Sequence, residues 1–189
     1  MTAAVVRPPA TRTRFGAAAD LAATVVPVAL LVYAACRWLD GRDHHHGPGL
    51  WWTIGHLAFL ASWVAFATLT ASLASGLRAR RVVARGIGAA TLAGIGAFTW
   101  VTLTDLFPSW PDLPDVLRLL GPLLFLVGLM VLLGVTARPR HPHWWPAFPL
   151  LLLTATLVVS ANLDLLPVSA VLFGAALVPC RRRRGPATA

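Results

Sequence analysis

His56, Asp105, Arg118, Asn162 and Asp164 stand inside or at the edges of long apolar stretches of this sequence. An imidazole with a carboxylate in reach can bind a proton, a metal ion or a small polar solute. Ionisable groups set in apolar segments are costly and are functional candidates by default. His56 has Asp105 or Asp164 as its expected partner. A structural alternative uses the same residues: Arg118 pairs with Asp105 or Asp115, while His56 hydrogen-bonds a carbonyl to staple two helices. Interhelical polar contacts of this kind are common, which favours the structural version. A second cluster, Asp43, His44, His45 and His46, offers carboxylate and imidazole ligands for Zn, Ni or Cu. It lacks the i, i+4 spacing of a formed helical site and precedes Gly47-Pro48-Gly49, so it reads first as a solvated loop.

Other chemistry is excluded by residue type. The chain has no Lys, Glu or Gln, so it holds no HExxH motif and no P-loop lysine, and GxSxG is missing too. Asp112 and Asp115 flank Pro114 in a proline-rich turn and do not form a hydrolase pair, because Pro fixes φ and breaks helices. A bis-histidine haem needs a second buried His at the level of His56, whereas His141 and His143 fall in a different loop. Trp52, Phe59, Trp63 and Phe66 share the His56 face at helical spacing. Neither Cys36 nor Cys180 has a CxxC partner. No enzymatic activity and no cofactor are expected.

The elements that position these residues follow from composition. Hydrophobic residues make up 57% of the 189-residue chain and charged residues 12%, with a mean hydropathy of +0.71. An ordinary soluble domain carries roughly 25% charge, so this chain has too little polar surface to coat a globule in water. A spanning helix needs about 20 mainly apolar residues, and the sequence predicts an all-α, polytopic transmembrane bundle. Its spans are about 20–38, 50–77, 82–107, 116–137, 144–161 and 165–180. The last two come from one apolar stretch broken at Asn162, Asp164 and Pro167.

Arginine decides the count and the orientation. Arg7, Arg12 and Arg14, then Arg78, Arg80, Arg81 and Arg85, then Arg138 and Arg140, then Arg181 to Arg184 fall on one side only if the last stretch crosses twice. The positive-inside rule then makes both termini cytoplasmic, with a basic tail over 1–19 and another over 181–189 flanking a membrane domain over 20–180. A five-span alternative places Arg181 to Arg184 outside, against that rule. Tyr33-Ala34-Ala35-Cys36 resembles a lipoprotein cleavage site, but Tyr33 stands where a Leu-like residue is needed and the apolar run exceeds a signal h-region. The first span therefore stays as an anchor. Cys36 and Cys180 end up about 30 Å apart across the hydrocarbon, too far for a disulfide.

The net charge of +9 fits cytoplasmic loops and anionic lipid, and no soluble segment is long enough for nucleic-acid binding. Gly86, Ala90 and Gly94 at four-residue spacing, with Gly88 and Gly96 nearby, mark the third span as the one packed most closely by its neighbours. Ala67, Ala71 and Ser75 repeat the pattern in the second. Three spans on each side of the Pro108–Asp115 turn have the parity of inverted-repeat transporters, but the halves share no residue pattern and no charge lies near the midplane.

Gly55-His56 opening a long second span, and the run from Asn162 to Cys180 before an arginine cluster, are similar to small uncharacterised integral membrane proteins of actinobacteria. The resemblance covers most of the chain and implies a multi-pass plasma-membrane protein without a catalytic motif. The expected role is a non-enzymatic, membrane-embedded binding or accessory protein. A small-solute transporter or carrier with a polar site near the outer face is the alternative, and an extracytoplasmic metal or redox accessory protein the next. The expected partners are the lipid bilayer and either a membrane protein or a second copy of the chain.

Overall fold

The computed structural model describes residues 14–43, 47–77, 81–138, 143–144 and 146–181. Six α-helices carry the fold: α1 (Arg14–Asp40), α2 (Leu50–Gly76), α3 (Arg81–Leu106), α4 (Asp115–Ala137), α5 (Ala147–Ala161) and α6 (Leu166–Ala176), and no strand occurs among the described residues. Helices α1 to α4 are long and apolar enough to cross a membrane, and α5 and α6 are apolar but shorter. The first helix starts at Arg14, inside the segment read from sequence as a tail.

Most of the described serine and threonine hydroxyls are met by their own helices, while the buried Thr70 hydroxyl has no hydrogen-bond partner among the described residues. Thr91, Thr99, Thr102 and Thr136 each donate to the carbonyl four residues back, the bond these side chains make when nothing else is in reach. Large apolar side chains such as Leu57, Val64, Leu123, Val127 and Val171 stay exposed around the outside. So wide an apolar exterior is an anomaly for water and an ordinary surface for lipid. The core is built from Phe66, Leu69, Phe125, Leu129, Leu132 and Leu133, with Trp63 stacked on Phe98 at 4.5 Å and Phe66 edge-on to Phe125 at 5.0 Å.

Two close approaches fix the long helices. A Cβ on Gly94 would lie 2.5 Å from the Gly121 carbonyl oxygen and the Phe125 nitrogen, and one on Gly128 would run into the Thr91 hydroxyl. Only glycine lets α3 and α4 touch there. The seam therefore runs through Ile87, Thr91, Gly94 and Ala97 rather than through the expected Gly86–Ala90–Gly94 stripe: a Cβ on Gly86 or Gly96 would have nothing within 4 Å, and Gly88 faces Ala74 of α2. Nor is α3 the most enclosed helix. It is the least buried of the four long ones, and α1, whose packing against α2 is the most extensive of any helix pair, is the most. In α2, Ala71 and Ser75 are likewise exposed.

The break between α5 and α6 falls where Asn162, Asp164 and Pro167 placed it. Asn162 takes an extended backbone and its side chain accepts from the Asp164 N–H at 2.8 Å, starting a single 3-10 turn before α6. Pro167 then sits in the first turn of α6, where its missing N–H is of no consequence. The hairpin is closed by Ser169, whose buried hydroxyl donates to the Ala155 carbonyl at 2.8 Å. Its far end is tied by arginine. Pro27 lies inside α1 and has no N–H to give the Ala23 carbonyl four residues back. The Arg181 guanidinium donates to that carbonyl at 3.0 Å. One proline thus creates the acceptor that anchors the chain after α6.

The hairpin's turn meets α1 at Arg37, through Asp164, and its tail meets α1 at Ala23, about 21 Å away at 1.5 Å per residue. The bundle consequently has two unlike ends. One gathers Arg81, Arg85, Arg138 and Arg181 with Asp20, and the other gathers Asp40, Asp105, Asp112, Asp115 and Asp164 with Arg37, Arg42 and Arg118.

Candidate functional site: a polar cavity at the acidic end

Gly55 sets the site. A Cβ there would lie 3.1 Å from both Cys36 Cβ and Tyr33 Cδ2, so the glycine lets α1 close on α2 and brings the Tyr33 ring against His56. The imidazole is held between Trp52, with centroids 4.0 Å apart, and Tyr33, edge-on at 5.6 Å. Tyr33 itself stacks on Phe59 at 4.6 Å. Tyr33, Trp52 and His56, with Arg37, Asp40, Asp105 and Leu163, line a cavity of about 270 Å³.

His56 Nδ1 lies 2.8 Å from the Trp52 carbonyl oxygen. A carbonyl only accepts, so Nδ1 carries the proton and Nε2 of the neutral ring is left with a lone pair. That atom faces Asp105 Oδ2 at 3.9 Å. The gap is too long for an N–H···O hydrogen bond of about 2.7–3.2 Å. The His56 side chain is 8% exposed and that of Asp105 is 56% exposed, so the pair is closed on the helix side and open at the mouth. Two acceptors facing one another attract a shared proton, a cation or a donor-bearing solute.

Arg37 supplies the opposite chemistry. Its Nε is an ion-pair partner of Asp164 Oδ1 at 3.5 Å. Nε is nonetheless buried and has no hydrogen-bond partner among the described residues. The cavity therefore sets the Arg37 guanidinium of α1 against an acceptor pair short of a donor between α2 and α3.

Among the residues expected from sequence, the structure brings His56 and Asp105 together and sets Asp164 beside the cavity through Arg37. Asn162 acts on the turn rather than the cavity. Arg118 pairs with Asp112 at 2.8 Å, not with Asp105 or Asp115, and it does not line the cavity. The carbonyl that His56 bonds belongs to its own helix, so the bond staples nothing. His44, His45 and His46 lie outside the described residues, and Asp43 ends a 3-10 turn, Gly41–Asp43. No group of three His, Cys, Asp or Glu able to hold a metal ion occurs among the described residues. Cys36 and Cys180 are both buried and are not bridged.

Tyr33, Arg37 and Asp40 were missed as site residues. They recur at i, i+4 and i+7 on α1, a single helical face, and Gly55 beside His56 marks where that face meets α2. No protein-family model, curated protein or solved structure matches the chain, so function rests on this geometry.

Proposed function

We propose that the protein is a multi-pass plasma-membrane protein, non-enzymatic, that binds a small amphoteric solute in the cavity at its acidic end. The membrane reading is supported by four spanning-length apolar helices and an apolar exterior. In this reading α5 and α6 add a fifth and sixth crossing, both termini are cytoplasmic, and the arginine-rich end faces the cytoplasm as the positive-inside rule requires. The plasma-membrane location follows the actinobacterial resemblance.

The observation that carries the binding role is an acceptor pair and an arginine lining one cavity. His56 Nε2 and Asp105 suit a cationic or N–H-bearing group, and the Arg37 guanidinium suits an anionic or carbonyl oxygen. A solute with both groups a few bonds apart, of free amino-acid size, satisfies them together. The cavity lies at one end of the bundle and no charge lines its middle depth, which favours holding a solute over conducting one.

The test is thermal unfolding of the purified protein in mild detergent with a panel of free amino acids from glycine to leucine. A ligand that binds only the folded state stabilises it by about 2.7 kcal/mol at 100-fold excess over Kd. At least one member of the panel is expected to raise Tm, and the rise to vanish in Asp105→Asn. If no member raises Tm, or if Asp105→Asn leaves the rise intact, the proposal is wrong.

A further inference from the structure

Between the last turns of α2 and the first turns of α3 lies a second, larger groove of about 370 Å³, at the opposite end of the molecule. Its floor is the contact of Ala74 with Gly88, where an added Cβ would sit 3.0 Å away. Its walls are the small side chains of Ala71, Ser75 and Ala89, and Leu92 closes it toward mid-bundle. The trough is apolar along its length. The Ser75 hydroxyl, its main polar group below the rim, already donates to the Ser72 carbonyl at 3.0 Å.

The rim is cationic. Arg81 and Arg85, one turn apart on α3, both line the groove at its outer end and both are exposed. No carboxylate among the described residues pairs with either of them, and the sequence has no acid between Asp43 and Asp105. Arg78 and Arg80 precede them in the chain. Guanidinium groups present a planar fork that takes phosphate oxygens in pairs, and they stand where a spanning helix leaves the hydrocarbon, at the depth of lipid phosphates.

We propose that this groove binds one anionic phospholipid, with an acyl chain in the trough between α2 and α3 and its phosphate on Arg81 and Arg85. The charge at the rim selects a net negative headgroup, since a zwitterionic lipid brings its own cation to the same place. Basic sites between helices on the cytoplasmic side take such headgroups. The proposal rests on the membrane reading but not on the cavity at the other end.

The test uses the full-length protein in nanodiscs of equal phosphatidylcholine and phosphatidylglycerol, released gently and analysed for retained lipid by native mass spectrometry. The expected result is at least threefold more phosphatidylglycerol than phosphatidylcholine per chain. The R81A/R85A double variant is expected to lose that preference, Ala89→Phe to lose retained lipid by filling the trough, and Arg118→Ala to behave as wild type. Excess inorganic phosphate is expected to displace nothing. Equal retention of the two lipids, an unchanged preference in R81A/R85A, or displacement by phosphate overturns the proposal. A chain that fails to enter nanodiscs contradicts the membrane reading and the groove with it, whereas one that enters and shows no preference contradicts the groove alone.

Discussion

The two ends of this bundle use the same few residue types in opposite ways. At the arginine end the guanidinium of Arg181 is spent on a backbone carbonyl freed by Pro27, and Arg81 and Arg85 line an open groove. At the acidic end, carboxylates, aromatic rings and His56 are drawn together around a cavity whose polar atoms are incompletely matched. Charge that only had to fix orientation could have stayed solvated at both ends. Where it is instead turned inward beside rings and an ion pair, a ligand gives a reason.

The largest expected effect removes the distinction altogether. Gly128→Leu forces a side chain into the Thr91 hydroxyl at the α3–α4 seam, and overpacking of this kind costs about 3 kcal/mol. Unfolding in detergent should show that loss, together with loss of solute stabilisation. A variant as stable as wild type would show that the seam is not close-packed.

Next is the tie at the arginine end. Arg181→Ala strips the Ala23 carbonyl of its charged donor, at about 1.5–3 kcal/mol. Pro27→Ala restores an N–H within α1, so the double variant should recover most of the loss. An additive double variant would disconnect Pro27 from Arg181.

Asp105→Asn should act at the acidic end alone. Solute affinity is expected to fall about tenfold, 1.4 kcal/mol, with the unliganded protein unfolding within about 0.5 kcal/mol of wild type, as surface changes do. A stability loss without an affinity loss would return His56 and Asp105 to a structural role. The smallest effect belongs to Arg118→Ala. Its partner is 81% exposed and Arg118 itself 47%, and exposed pairs contribute about 0.2–1 kcal/mol. Stability should change by less than that, and solute binding not at all.

Much of the fold was legible because lipid leaves few options. Twenty apolar residues between arginines must be helical, and three of the six expected stretches matched observed helices to within a residue or two. The α5–α6 break was legible too, since Asn162, Asp164 and Pro167 each act locally on the backbone. The packing was not. Glycine spacing along α3 could not say which row faces α4, because that depends on Gly121 and Gly128 across the seam. His56 and Asp105 were found because they are polar in apolar surroundings, whereas Tyr33 was read only as part of a cleavage-like run and Arg37 was not singled out. Arg118 looked equivalent to them at the level of sequence, and only the position of Asp112 separates it.

The central claim is that the two ends lie in different aqueous compartments, with the cavity outside. Cys36 and Cys180 are buried and report poorly on this. Single cysteines at Ser109 and Gly76, both exposed and at opposite ends, serve better in a Cys36→Ala, Cys180→Ala background. A membrane-impermeant maleimide applied to intact cells should label Ser109→Cys and reach Gly76→Cys only after permeabilisation. Labelling of Gly76→Cys in intact cells, with Ser109→Cys protected, would contradict the account.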